Sequence, residues 1–366
     1  MIKIADVRAT AVSVPLLHPF KAAYGIRDTA DFVLVEIEDN HGRTGLGEAS
    51  TIPIYDEGSQ AGVSYVLNKY IKPVLLGRDP RDINLLNDLI AGIIKGERYL
   101  KCAVDFALHD LAGKIYNLPV VQLLGGAPKP VQVCWVISAK NPESIREEAA
   151  QKKGEGFHVF KLKVGINATS DLANLKALRE AIGEDLEIRL DGNEAWNPKE
   201  ALRQIGLFQP YRPAHIEQPV PARDVEGLSY LCRKSPLPVS ADEVVLTAAD
   251  SMRLARTAAG DRINIKISRC GGFGQAKRIM AVAEAANQKP FLGSMLELGL
   301  GTVASAHFAA AFTNMELATE LVGPLLLRQD ILEEPLTYRR GYLELPEGPG
   351  FGVALNRDLV KEYTVK

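Results

Sequence analysis

The sequence predicts an α/β barrel preceded by an α+β unit. Three observations carry this. From Pro130 onward, short apolar runs alternate with amphipathic, helix-like stretches. The first 125 or so residues lack that rhythm and read as strands followed by a block of helices. Charged residues also recur at the ends of the apolar runs, about one βα unit apart. A strand returns parallel to its neighbour only through a crossover, usually a helix, so repeated βα units imply a parallel sheet, and eight of them a closed barrel.

In the N-terminal unit, residues 2–14 alternate apolar and polar side chains and read as a strand, as do 32–39 and 43–49. Asp39-Asn40-His41-Gly42 has the chemistry of a hairpin turn. Helical stretches follow near 59–73, 82–94 and 99–116, the last with a wide apolar face ending before Asn117-Leu118-Pro119. The Gly/Pro cluster at 125–130 marks a boundary. The barrel strands are expected at 131–137, 158–164, 186–192, 214–218, 238–243, 262–268, 290–295 and 315–321, with seven helical stretches between them. The expected division is therefore 1–125, 126–329 and a Gly/Pro-rich tail, 330–366, that packs back on the N-terminal unit.

Bulk properties exclude several classes. The net charge of −2 gives no electrostatic footprint for nucleic acid. No apolar run approaches the ~18 residues of a membrane span, and the alternating N-terminus does not read as a signal peptide. Cys102, Cys134, Cys232 and Cys270 form no CxxC pair, so the expectation is buried, reduced thiols in a cytoplasmic protein.

The informative residues are three acids. Asp191, Glu217 and Asp242 each close an apolar run, spaced 26 and 25 residues apart. Lys266 holds the same point 24 residues later, and Lys161 and Lys163 lie one unit earlier. In a parallel barrel such positions converge at the mouth where βα loops build active sites. Three carboxylates there suit a hard divalent cation, Mg²⁺ or Mn²⁺, and leave coordination positions for a substrate carboxylate. Asn193 and Glu243 sit beside the ligands and would orient them. Lys161 and Lys163, two apart on one strand, face the same side, and their mutual repulsion is expected to lower their pKa values. Lys163 is the expected base, Lys161 an electrostatic helper, and Lys266 a second acid/base group across the mouth. The implied chemistry is proton transfer next to a carboxylate, with the enolate charge stabilised by a cation and ammonium groups.

FKLKVG (160–165), LDGNEAW (190–196), IEQP (216–219), SADE (240–243), NIKISRCGG (264–272), GSMLE (293–297) and ATELVGPLLL (318–327) together resemble the muconate-lactonizing-enzyme subgroup of the enolase superfamily. The resemblance implies a modified TIM barrel, (β/α)7β, under an α+β N-terminal capping domain. It implies Asp191, Glu217 and Asp242 as metal ligands, Lys163 and Lys266 as acid/base residues, and a dimer or octamer. Ser294, Met295, Glu297 and Glu320 fall on the substrate side, and loops near 18–27 and 50–58 would close over the substrate with Phe20, Tyr24, Ile52, Ile54 and Tyr55. Subgroup members are muconate cycloisomerases, dipeptide epimerases, and succinylbenzoate synthases with N-succinylamino acid racemase activity. Glu320 matches the cycloisomerase version, whereas the Asp-x-Asp that grips a dipeptide ammonium is missing, since Val322 holds the second place. Glu194 departs from the glutamine usual after the asparagine.

The favoured reading is cycloisomerisation of a muconate-like dicarboxylate, with racemisation or epimerisation of N-acylamino acids or dipeptides as the alternative. A remoter alternative is an NAD-dependent dehydrogenase, because Gly299-Leu-Gly301-Thr-Val-Ala304 fits GxGxxA at a helix start. A non-catalytic binding module is the remaining one. Chelation with EDTA separates it from an enzyme, since only catalysis would be abolished.

Overall fold

The computed structural model describes residues 1–53, 55–315 and 318–365. The N-terminal unit is built on an antiparallel sheet of β1 (Ile4–Ala22), β2 (Gly25–Asp39) and β3 (Thr44–Ser50), in that order. The first strand extends well past the predicted 2–14, because the chain crosses an irregularity between Pro15 and Phe20 and then re-pairs, Phe20 with Arg27 and Ala22 with Gly25. Residues 18–27 are thus a hairpin tip and not the expected loop. Helix α1 (Arg98–Tyr116) lies flat on β3. Gly45 and Gly47 permit that approach, since a Cβ at either would sit 2.0 and 1.8 Å from the carbonyl oxygens of Ala107 and Ala103.

Seven parallel strands then follow in sequential order: β4 (Trp135–Ile137), β5 (Val159–Lys163), β6 (Glu187–Asp191), β7 (His215–Glu217), β8 (Val239–Ala241), β9 (Arg262–Ile265) and β10 (Lys289–Leu292). Residues 318–320 close the ring. Thr319 bridges Val133 in parallel and accepts from Cys134 N at 2.6 Å, while Glu320 N donates to Leu292 O at 3.1 Å. Arg189, fully buried inside the barrel, donates to Ala318 O at 2.7 Å and holds this last segment in place. The rest of the expected eighth strand includes residues 316 and 317, which lie outside the described residues. The fold is a modified (β/α)7β TIM barrel with an α+β cap.

The connecting helices start where the sequence supplies caps. Asn141 accepts from Ser144 N at 2.8 Å with Pro142 at the first turn, Asn197 accepts from Glu200 N at 3.0 Å ahead of Pro198, and Thr247 and Asp250 form a reciprocal capping box.

One predicted strand is split. Val131–Gln132 pairs antiparallel with Tyr342–Leu343 outside the barrel, whereas Val133 bridges Thr319 in parallel and Trp135–Ile137 joins the parallel sheet. The tail therefore touches both regions. Thr364 bridges Val12, and Arg357 forks onto Glu36 through two 2.8 Å bonds.

Buried carboxylates latch the cap to the barrel. Glu48 of β3 accepts from Leu298 N and Gly301 N, at 2.9 and 2.8 Å, at the start of helix α2 (Gly299–Ala311). Asp105 of α1 accepts from Phe273 N at 2.7 Å, and Asp110 ties in the tail by accepting from Phe351 N at 2.7 Å. The α2 N-terminus is where GxGxxA would place a dinucleotide phosphate. Glu48 and Asp330 already fill it, so the glycines serve the cap–barrel seam instead.

Candidate active site

Strand register assembles the site. Lys163 stands opposite Asp191, and Asp191 opposite Glu217. Glu217 pairs with Ser240, which places Asp242 just beyond the end of β8. There Gln218 Oε1 accepts from Asp242 N at 2.9 Å and fixes the turn. One carboxylate oxygen from each of Asp191, Glu217 and Asp242 falls within 4.8 Å of the others, and all three residues are buried. Such a cluster needs positive charge at its centre.

The lysines supply part of it. Lys161 Nζ reaches Glu217 Oε1 at 2.7 Å, Glu320 Oε1 at 2.8 Å and Asp191 Oδ2 at 2.9 Å. Lys163 Nζ bonds Asp191 Oδ2 at 2.7 Å and Asn193 Oδ1 at 2.9 Å, and Lys266 Nζ bonds Asp242 Oδ2 at 2.6 Å. For Lys161 this corrects the expectation that crowding lowers its pKa. Burial does act against the charge on Lys161, but Asp191, Glu217 and Glu320 outweigh it and hold its pKa well above the usual range. Lys266 is likewise raised, because Asp242 overcomes the burial. Lysine–carboxylate contacts, and not lysine–lysine repulsion, dominate the mouth.

The acids respond in turn. Asp191 and Asp242 are held below the usual carboxylate range despite burial, Asp191 by Lys161 and Lys163, Asp242 by Arg269 and Lys266. Glu217 is pushed well up by burial, which Lys161 does not offset against the neighbouring acids. Its Oε2 is buried without a hydrogen-bond partner among the described residues. An orphaned, buried carboxylate oxygen beside two ionised acids fits a hard divalent cation.

Asn193 and Glu243 join the lysines to the cap. Asn193 Nδ2 donates to Glu243 Oε1 at 2.9 Å, and the Tyr55 hydroxyl donates to the same oxygen at 2.9 Å. Arg269 bonds the Tyr55 oxygen at 3.2 Å and Asp242 Oδ1 at 2.5 Å. Burial, with Asp242 and Asp191 nearby, raises Glu243 to about 7.

Over the mouth lies a small, partly open cleft. Phe20, Tyr24, Ile52, Tyr55, Ser294, Met295 and Glu320 line it together with the three lysines and Asn193. Ile54 lies outside the described residues. Glu297 does not line the cleft. Its carboxylate is taken up by Ser268 Oγ at 2.7 Å, Met295 N at 3.0 Å and the Ser294 hydroxyl, so it shapes the loop that presents Met295.

Sequence reasoning also passed over four residues. Asn264 donates to Glu217 at 3.0 Å, and alternation from Lys266 puts it on the same face of β9, a signal that was available. Arg269 lies three residues past Lys266 on a single helical turn, Ile267–Cys270. Gln218 and Arg27 gave no such sign.

Comparison with known proteins agrees with this architecture. Residues 4–125 match the mandelate racemase / muconate lactonizing enzyme N-terminal domain, and 144–359 the enolase C-terminal domain-like family. The chain is 37% identical to muconate cycloisomerase 1 of Rhodococcus opacus, covering 99% of each. It is 33% identical to an N-succinyl-L-Arg/Lys racemase of Bacillus cereus, over 99% of this chain and 98% of that one. Among solved structures, a muconate lactonizing enzyme from Pseudomonas fluorescens complexed with muconolactone superposes with a TM-score of 0.96 at 32% identity, over 99% of both chains. A dipeptide epimerase from Enterococcus faecalis V583, complexed with Mg and the dipeptide L-Leu-L-Tyr, gives 0.92 at 32% identity, over 96% of this chain and 99% of that one. The chain is an isomerase that belongs to the enolase superfamily, in the group of muconate lactonizing enzymes.

Proposed function

We propose that the protein catalyses cycloisomerisation of a muconate-like dicarboxylate. The observation that carries this is the acidic trio, flanked by Lys163 and Lys266 and open to a small cleft. Asp191, Glu217 and Asp242 would hold Mg²⁺ or Mn²⁺, whose charge would favour enolate formation at a substrate carboxylate. In ring closure, an oxygen of the other carboxylate bonds to the γ-carbon and the diene electrons move to the carbon α to the first carboxylate. Lys163, positioned by Asn193 Oδ1 at 2.9 Å, delivers its proton to that carbon and is recharged from solvent. Lys161 keeps Glu217, Glu320 and Asp191 from repelling one another.

Glu320 supports this reading over a dipeptide substrate. It is bound to Lys161, and Val322 beside it is apolar and buried, so no pair of acids waits for an ammonium group. The second reading is racemisation or epimerisation of an N-acylamino acid or dipeptide, and Lys266 favours it. Its ammonium group also faces the cleft, and 1,1-proton transfer needs a base on each face of the carbon. On either reading the enzyme acts as a cytoplasmic homo-oligomer on a small carboxylate.

The test is a screen of diacids and acylamino acids with Mg²⁺ or Mn²⁺, following lactone formation and deuterium uptake at α-carbons. Lactone formation is expected. Deuterium exchange without ring closure would replace the first reading with the second, and neither product from any substrate would sink both.

A further inference from the structure

The two oxygens of Glu217 have opposite surroundings. Oε1 accepts from Lys161 Nζ at 2.7 Å and from Asn264 Nδ2 at 3.0 Å. Oε2 is buried and has no partner among the described residues. Lys161 divides its ammonium group between Glu217, Asp191 and Glu320. The Asn264 side chain, among the described residues, serves Glu217 alone. An ionised carboxylate can only accept, so the amide must turn its nitrogen toward Glu217 and its oxygen away. Asn264 is fully buried on β9. Room for its amide comes from the next strand. Asn264 stands opposite Phe291 in the parallel ladder, and Gly293 lies two residues beyond Phe291, just past the end of β10. A Cβ at Gly293 would sit 2.1 Å from Asn264 Oδ1 and 2.7 Å from Nδ2. Gly293 is not in the left-handed region, so it is the amide that keeps this position free of a side chain.

We propose that Asn264, seated on Gly293, is a positioning residue that engages Glu217 Oε1, so that Glu217 offers the single oxygen Oε2 to a cation, and that this selects Mg²⁺ over the larger Ca²⁺. This rests on the proposed reading that the acidic trio holds a divalent cation. Mg²⁺ requires near-ideal octahedral geometry, whereas Ca²⁺ takes six to eight oxygens and readily accepts both oxygens of one carboxylate. A glutamate with one oxygen already engaged suits the smaller ion. The amide achieves this without charge, where a further ammonium group would compete with the cation for Glu217.

The test is calorimetric titration of the EDTA-stripped full chain with Mg²⁺ and, separately, with Ca²⁺, in the absence of substrate. Asn264→Leu keeps the shape of the side chain and removes the donor. Mg²⁺ binding is expected to weaken about tenfold or more, the usual scale for losing a group that orients a ligand. Ca²⁺ binding should weaken less, so the ratio of the two Kd values moves toward Ca²⁺ by at least about fivefold. Gly293→Ala alters no acid and no donor, yet its Cβ pushes on the amide, and the same movement of the ratio is expected. The two effects should not add in the double variant, because they act on one contact. A merely structural role would weaken both ions alike. An unchanged Mg²⁺/Ca²⁺ ratio in either variant that circular dichroism shows to be folded would overturn the assignment, and Gly293→Ala decides if Asn264→Leu does not fold. Failure of the cation reading is distinct: the unaltered protein would then bind neither ion, whereas failure of the Asn264 assignment leaves its Mg²⁺ binding intact.

Discussion

The barrel mouth and the cap roof face each other across one cleft but are built in opposite ways. At the mouth, side chains are charged, buried and held by several partners each, and strand register sets their positions. Lys161 alone is fixed by Asp191, Glu217 and Glu320. The roof is largely apolar and aromatic and hangs on an irregular hairpin. Tyr55 ties it to the mouth by bonding Glu243 and Arg269, and Lys21 O accepts from Ala139 N at 3.2 Å. Tyr24 and Tyr55 lean together at 4.6 Å between centroids. The difference teaches where change is tolerated. Removing one partner from a buried charge network leaves the others uncompensated, at about 3–5 kcal/mol. A roof side chain can be exchanged with a cost mainly in substrate fit.

The sharpest way to break this contrast is Lys163→Ala. Loss of a positioned acid/base group should lower turnover by about 10³-fold, read as lactone formation or deuterium uptake, while circular dichroism stays native. Retained turnover would remove Lys163 from the chemistry. Next in size is Lys266→Ala. Exchange requiring a second base should disappear, while lactone formation survives at a measurable rate. Full epimerase activity in this variant would refute the two-base arrangement.

Glu48→Ala probes a third region, the latch between the cap and the start of helix α2. It strands the buried N–H groups of Leu298 and Gly301, so denaturant unfolding should show a loss of roughly 2 kcal/mol, with kcat nearly unchanged. A large fall in kcat without loss of stability would show that the latch and the mouth are coupled. The smallest effect is expected from Tyr55→Phe. It deletes the bond to Glu243 and the one from Arg269, together about 1–2 kcal/mol, and should raise KM several-fold.

Much of the mouth was legible because it is periodic. Asp191, Glu217, Asp242, Lys163 and Lys266 each end a barrel strand or lie one or two residues beyond it, so unit spacing was enough to align them. Asn264 was within reach of the same alternation. The hairpin at 18–27 was not, since the irregularity between Pro15 and Phe20 resets the pairing and no local pattern announces it. Glu297 was misplaced for a related reason. Nothing local to GSMLE says that Ser268, in another βα loop, will take up its carboxylate. The pKa expectation failed for Lys161 because its neighbour Lys163 is visible in sequence, whereas the carboxylates that reach it come from other strands.

The sequence by itself determined the βα alternation, the helix caps and the identity of the charged groups at the strand ends, because these depend on contacts a few residues apart. Tertiary structure decided which oxygens meet, which lysine is held charged, and that Arg27 turns toward the cleft. Those outcomes depend on distances between elements far apart in the chain. Electrostatic energy inside a protein varies steeply with separation and burial, and neither quantity is encoded in a local pattern.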